Sequence, residues 1–335
     1  MTSKIGVVIG QVGTPLSLET REVRRYLKEF LSDERIIDLP RSRWYPILHS
    51  FVLPFRPRMV AKHFGEIWTS EGSPLLKISM AQRDGIQARL GDHFQVELGL
   101  AYSEPGLQAA ISNLEQAGIR KIIVLPMFPQ YANSTTASIY DATMFAALGR
   151  KAQKRMPKKK FSPTLRFVHP FYDDPEYIQV LANSVMRQLA EIPHDYDRII
   201  LSFHGLPKRF VDEGDPYIEQ CHRTGELLAK ELGWDSGTIE VAFQSRFGRT
   251  EWVKPYLQPR LEKLHSDGVK APVIVSPGFT TDCLETLHEL GIGGRELFEQ
   301  GGGDPERYRT LACLNDDPDW LDYAADLIRS NAAGW

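Results

Sequence analysis

The chain has 335 residues, 42% hydrophobic and 25% charged, with a formal net charge of −3. That length is long for one core and comfortable for two domains of about 150 residues, and the composition is that of a globular protein rather than a disordered one. The charge excludes a general attraction to nucleic acid, and the three scattered cysteines, Cys221, Cys283 and Cys313, exclude a disulfide framework and offer no zinc-type spacing, which fits a reducing cytoplasm.

The N-terminal MTSKIGVVIGQVGTP has an apolar run too short for a signal peptide, and it continues into a Gly-Thr-Pro turn. No stretch approaches the ~18–20 apolar residues that span a bilayer, which leaves room only for peripheral contact with a membrane. KIGVVIG (4–10) reads as a first strand. Its almost continuous apolar make-up is typical of parallel strands covered on both faces. SLETREVRRYLKEFLSD (17–33) then carries a helical period. The next segment, 42–68, fits no simple βα unit: it is dense in aromatic and aliphatic residues and broken by Pro46, Pro54 and Pro57. It reads either as a buried connecting helix or as an apolar lip that grips a flat hydrophobic ligand or touches lipid.

FQVELGLAY (94–102) and KIIVLPMF (121–128) are the next strands, with the helix LQAAISNLEQAG (107–118) between them. The Pro- and Lys-rich run 151–163 reads as a solvated linker between two halves. Beyond it come the strands TLRFVHP (164–170), RIILSFH (198–204), TIEVAFQS (238–245) and PVIVSPGF (272–279), with helices over 173–192 and 217–233. Residues 316–330 form a capped amphipathic helix. The alternation predicts an α/β fold of two similar doubly wound, flavodoxin- or Rossmann-like domains, their parallel sheets facing a central cleft. The first half is expected over 1–160, the second over 161–310, and a C-terminal helix within 311–335 to pack back on the first.

Two features of the second half carry chemistry. His204 ends a strand and is followed at once by Gly205 and Pro207, at the carboxyl edge where open parallel sheets bind ligands. After the strand at 272–279, Asp282, Glu285 and Glu289 fall at i, i+3 and i+7, one narrow stripe of an α-helix. Such a stripe either complements the helix dipole or, facing a crevice, raises its own pKa values, binds a divalent cation or passes protons along the row. Histidine and carboxylates on one edge point to proton abstraction beside a metal. Ser202 lies on the same strand face as His204 and keeps a hydrolase pair open, although no G-x-S-x-G elbow, G-x-G-x-x-G loop or P-loop is present.

VGTP (12–15), RRYLKEFLSD (24–33), EGSPLL (71–76), PQYANSTTAS (129–138), LSFHGLP (201–207), DEGDPY (212–217), QSRFGRTEW (244–252) and PGFTTDCLETLHEL (277–290) together resemble the ferrochelatases, nearly end to end. The resemblance implies a chelatase fold of two flavodoxin-like halves and an activity that inserts ferrous iron into a porphyrin, the last step of haem synthesis. It implies that His204 and Glu285 handle the pyrrole protons and meet the metal, with Asp282 and Glu289 as an acidic relay. Val12, Arg58, Ser73, Tyr131, Tyr217 and Trp252 match positions around the porphyrin or its rim. Porphyrin and ferrous iron are then substrates, with no permanently bound cofactor. A 2Fe–2S cluster, present in some relatives, normally needs four thiolates, and this chain has three cysteines.

Some positions depart from the family pattern. Ala101 stands where many members have arginine, Gly293 where some continue the acidic row, and Cys283 where some have histidine. Gln11 and Val12 replace the iron-ligating tyrosine of the coproporphyrin branch, which favours protoporphyrin IX. Coproporphyrin III, another tetrapyrrole chelatase reaction, and a non-enzymatic haem or porphyrin carrier are the alternatives. No residue in the sequence demands a particular oligomeric state.

Overall fold

The computed structural model describes residues 4–149, 159–235, 238–248 and 250–335. The backbone divides into two compact units, Met1–Phe128 with Ala132–His169 and Leu321–Trp335, and Pro129–Tyr131 with Pro170–Trp320.

The first unit holds β1 (Ile5–Gln11), β2 (Phe94–Leu100), β3 (Lys121–Pro126) and β4 (Thr164–Phe167) in the order β2-β1-β3-β4, every neighbour parallel. All seven residues of β1 are buried, as a central strand of a doubly wound sheet requires. One face is covered by the helix Leu107–Gln116, whose Leu107, Ile111 and Leu114 pack with Val8, Ile122 and Val124. The C-terminal stretch belongs to this unit too. Arg89 pairs with Asp322, and Arg166 donates to the carbonyl oxygens of Asn331 and Ala333.

The second unit repeats the order with β5 (Arg198–His204), β6 (Ile239–Gln244), β7 (Pro272–Val275) and β8 (Arg309–Thr310) as β6-β5-β7-β8, again all parallel. Its core joins Ile200, Ala242 and Ile274 of the sheet to Leu257, Leu261, Leu290, Phe298 and Tyr308. In both sheets the chain leaves the first strand toward one edge and later crosses to the other. The topological switch point, where the crevice of such sheets lies, is therefore at the end of β1 in one unit and of β5 in the other.

Two expectations need correction. The first half does not end at 160: Thr164–Phe167, expected to open the second half, completes the first sheet beside β3 through the register Lys121↔Thr164 to Val124↔Phe167. The Lys- and Pro-rich run precedes the last strand of a sheet rather than separating two domains, and its residues 151–158 lie outside the described residues. The fourth strand of the second sheet is instead the two-residue β8, too short to carry a hydrophobic pattern.

The 42–68 segment is helical, buries part of its apolar side chains and exposes others. It forms helices Arg41–Ile47 and Leu53–Ile67 joined by a π-wound turn, Leu48–Val52. Pro54 and Pro57 have no N–H to return to the preceding turn, and the winding loosens just before them. Leu48 and Leu53 are buried against Val23, Leu27 and Leu31 of the helix Thr20–Leu31. Phe51 and Phe55 are 68% and 71% exposed, with Ile47 and Met59 also exposed.

Gly205 shows how tightly the end of β5 is built. A Cβ there would lie 2.9 Å from the Gln244 carbonyl oxygen and 3.2 Å from Cε3 of Trp252. Gly205→Ala is expected to cost about 1–3 kcal/mol of folding free energy, the usual penalty of overpacking, read as a lower urea midpoint at unchanged slope.

Candidate active site

The candidate catalytic groups lie on the C-terminal edge of the second sheet. His204 is the last residue of β5, in register with Gln244 at the end of β6. Its Nδ1 is 2.5 Å from the carbonyl oxygen of Gly205. A carbonyl only accepts, so Nδ1 carries a proton, and in the neutral ring the lone pair is on Nε2, where it can accept a proton or meet a metal. The ring is 6.4 Å, centroid to centroid, from Trp252, which is buried and itself packs edge-on to the exposed Phe247 at 5.0 Å. The Trp252 indole N–H is buried and has no hydrogen-bond partner among the described residues.

The acidic segment is not the α-helix that its spacing predicts. Glu285–Gly294 is π-wound, with i→i+5 bonding. Such winding concentrates near functional sites, and it keeps Glu285 and Glu289 on neighbouring turns while leaving Asp282 outside the segment. Gln244 joins the segment to the sheet: its side-chain amide donates to the Glu285 carbonyl oxygen at 3.4 Å and accepts from the Ser202 hydroxyl at 2.5 Å. Ser202 is fully buried beneath Gln244, which removes it as a nucleophile.

Asp282 departs furthest from its expected role. Its carboxylate is buried and accepts from Thr286 Oγ1 at 2.7 Å, from Asn315 Nδ2 at 2.6 Å and from the Cys313 backbone N–H at 3.3 Å. It braces the turn before the π segment against the loop at 313–315. Asp282→Ala would leave those donors unpaired in the interior and is expected to lower stability by about 2–4 kcal/mol. Turnover per folded molecule should stay within about threefold. Normal stability with lost turnover, measured by urea unfolding beside steady-state kinetics, would return Asp282 to a relay.

Glu289 accepts from the backbone N–H of Ser245 at 2.9 Å, the Ser245 hydroxyl at 2.6 Å and Gln258 Nε2 at 2.9 Å. Burial lifts its pKa above the ordinary carboxylate range. The Ser245 hydroxyl bond counters that rise, as does the positive charge that His204 carries whenever its ring is protonated, and Glu285 adds to it. Glu289 thus feels both His204 and Glu285. Burial, with Glu285 next to it, pushes the Cys283 thiol well up, consistent with a small apolar residue. Among the described residues, no three His, Cys, Asp or Glu side chains converge in metal-ligand geometry.

Tyr217 opens the helix Tyr217–Glu231 and is buried. Desolvation raises its hydroxyl pKa well above normal, and the His204 backbone offsets part of that rise. Tyr131 is half-buried, and its N–H donates to Gln220 Oε1 of the same helix at 2.7 Å. These two tyrosines, Trp252, His204, Glu285 and Glu289 belong to the second unit. Val12, Arg58 and Ser73 belong to the first. There, Val12 is half-buried in the loop after β1, and Ser73 is buried with its hydroxyl 2.8 Å from that of Thr14. Ser73 thereby braces the loop, helped by Ser103, which accepts from the Thr14 N–H at 3.1 Å. Arg58 is exposed on the helix Leu53–Ile67, the helix that also presents Phe55 and Met59.

Sequence reasoning missed Gln244, Ser245, Phe247 and Gln258. Phe247 and Ser245 lie inside QSRFGRTEW, a segment that was read only for Trp252. Gln258, 31 residues before Glu289, carries no local signal.

The ferrochelatase family model matches residues 4–332. The chain belongs to the ferrochelatase family. Ferrochelatases similar to it include one from Actinobacillus pleuropneumoniae, 43% identical over 332 residues that cover 98% of this chain and 99% of that protein. Another, from Alcanivorax borkumensis, is 42% identical over 336 residues, 99% of this chain and 95% of that one. The Aliivibrio fischeri ferrochelatase is 42% identical over 327 residues, 98% and 97% of the two chains. Among solved structures, SirB from Bacillus subtilis with Fe3+ aligns at a TM-score of 0.56 and 13% identity, covering 98% of this chain and 96% of that one. The sirohydrochlorin chelatase SirB from the subspecies spizizenii, in complex with cobalt, aligns at a TM-score of 0.56 and 11% identity, over 98% and 95% of the two chains. At such identities the likeness concerns the fold, and the fold of this ferrochelatase-family chain is that of a chelatase.

Proposed function

We propose that this chain inserts ferrous iron into protoporphyrin IX to make protohaem, with His204 and Glu285 as the catalytic pair. Membership of the ferrochelatase family makes it a lyase that inserts a metal into a porphyrin in haem synthesis. The observation that supports the residue assignment is the geometry at the end of β5. His204 has its Nδ1 proton held by the Gly205 carbonyl and, in the neutral ring, its Nε2 lone pair left for chemistry, with Glu289 within electrostatic reach.

Metal insertion requires two pyrrole N–H protons to leave as Fe2+ enters. Nε2 of His204 is the base that accepts the pyrrole protons one at a time, releasing the first to solvent water before it takes the second, and the Glu285 carboxylate receives the metal as it sheds water and balances the charge. Tyr131, Tyr217 and Trp252 in the second unit carry porphyrin-binding roles, and in the first unit the same role falls to Val12, Arg58 and Ser73. Arg58 suits a propionate because its planar fork binds a carboxylate in bidentate fashion. Trp252, wedged on Gly205, gives the histidine an apolar wall. Binding energy along the ring would supply the distortion that turns pyrrole lone pairs toward the metal.

Gln11 and Val12 in place of a tyrosine favour protoporphyrin over coproporphyrin. The exposed Phe51, Phe55 and Met59 favour an apolar partner for the first unit, either the ring or a membrane surface. No helix among the described residues is long and apolar enough to cross a membrane. The reading places the reaction in the cytoplasm and leaves room for peripheral contact with the inner membrane.

Anaerobic incubation with Fe2+, or with Zn2+ in air, and porphyrin well above enzyme tests this reading through loss of free-porphyrin fluorescence. Many turnovers on protoporphyrin IX and few on coproporphyrin III are expected. Stoichiometric binding without turnover would instead describe a carrier, and preference for coproporphyrin would overturn the substrate assignment.

A further inference from the structure

We propose that Ser245 and Gln258 are positioning residues that fix the Glu289 carboxylate as a stationary negative charge beside His204. The inference rests on the chelatase reading above and assigns Glu289 a role different from a relay.

Gln244, the last residue of β6, is the Cα partner of His204, so Ser245 leaves the sheet edge next to the histidine, across one inter-strand spacing of about 4.8 Å. Ser245 has a φ of +67°, in the left-handed region that a residue with a Cβ adopts only at a cost. Strain of this kind persists where the surroundings over-determine it, and it gathers at functional sites.

Here it aims two donors at one target. The Ser245 N–H donates to Glu289 Oε1 and the Ser245 hydroxyl to Oε2, so one residue grips both oxygens. Gln258, on the helix Leu257–Lys263, adds a third bond to Oε1 from a separate element.

A carboxylate offers about four lone-pair sites, and three of these are occupied by neutral donors. Glu289 therefore has little capacity left to chelate a metal, and turning to hand on a proton would break three bonds at once. What it retains is its charge. Preorganised charge aimed at a developing opposite charge is among the largest contributions an active site makes. The charge that develops here is the imidazolium left when His204 takes a pyrrole proton. The two glutamates of the π segment are thus divided by role: Glu285 meets the metal, and Glu289 is the counter-charge.

Ser245→Gly tests this cleanly, because glycine relieves the positive φ and keeps the N–H while removing the hydroxyl. Gln258→Ala, the double variant and Glu289→Gln complete the set, assayed with Zn2+ and protoporphyrin IX for kcat and both KM values, with thermal melts. The expected result for Ser245→Gly is a fall in kcat of about tenfold, the size typical of removing an outer-shell partner. Its KM values should stay within about twofold and its melting temperature should not fall. The double variant should lose more, and adding Ser245→Gly to Glu289→Gln should change little. Wild-type kcat in the double variant would overturn the proposal, as would a raised metal KM at constant kcat, which would mark Glu289 as a metal ligand. Absence of turnover in the wild-type chain would overturn the chelatase reading and this proposal with it.

Discussion

Replacing His204 by alanine is expected to lower kcat by roughly 10²–10⁴-fold, the usual contribution of a positioned general base, while porphyrin affinity stays within about threefold. The separation follows from where the residue lies. His204 ends a buried strand whose other residues carry the packing, and its ring meets the Gly205 carbonyl and lies tilted beside Trp252. Removing the imidazole therefore takes away Nε2 without unseating β5, and the melting temperature should change little. Fluorescence quenching of bound porphyrin measures the affinity and steady-state zinc insertion measures kcat. A folded His204→Ala protein with wild-type kcat would mean that the proton leaves elsewhere.

Glu285→Gln is expected to be comparably damaging, with kcat lowered at least about 100-fold and the metal KM raised. The substitution is nearly isosteric, and the backbone carbonyl that accepts from Gln244 is untouched, so the π segment should hold. Because His204 and Glu285 act on the same event, the double variant should be little worse than either single one, as expected of residues that work as a unit. Full additivity would show instead that the two serve separate steps.

The sequence made the strand ends legible because a buried parallel strand is nearly continuous in apolar residues and stops abruptly where the chain turns polar. RIILSFH ends at His204 both by pattern and by structure. Helices with clear amphipathic periods, such as Tyr217–Glu231, fell within a residue or two of their observed ends. The handover between halves was not legible. Thr164–Phe167 is half-exposed and short, and which sheet such a strand joins depends on pairing with β3 rather than on its own composition.

The acidic stripe was legible as a set of residues but not as a geometry. α- and π-winding draw on the same side chains, so spacing at 100° per residue grouped Asp282 with Glu285 and Glu289. The structure turns Asp282 into the interior toward Asn315, and no local pattern announces a partner 33 residues away. Ser245 was hidden for a related reason: a serine in the left-handed region carries none of the signal that a glycine would. In the second-unit site, Glu289 is clamped by three donors, Glu285 lies against the Cys283 thiol, and Asp282 is bonded into the interior.

The most direct test of the central claim, that His204 is the base for metal insertion, is a single-turnover measurement. His204→Ala is preloaded with protoporphyrin IX and mixed with Zn2+, with and without free imidazole, and the insertion rate is followed by absorbance. The account predicts slow insertion that imidazole accelerates in proportion to its concentration. A wild-type rate without imidazole, from a variant shown to hold its porphyrin, would contradict it.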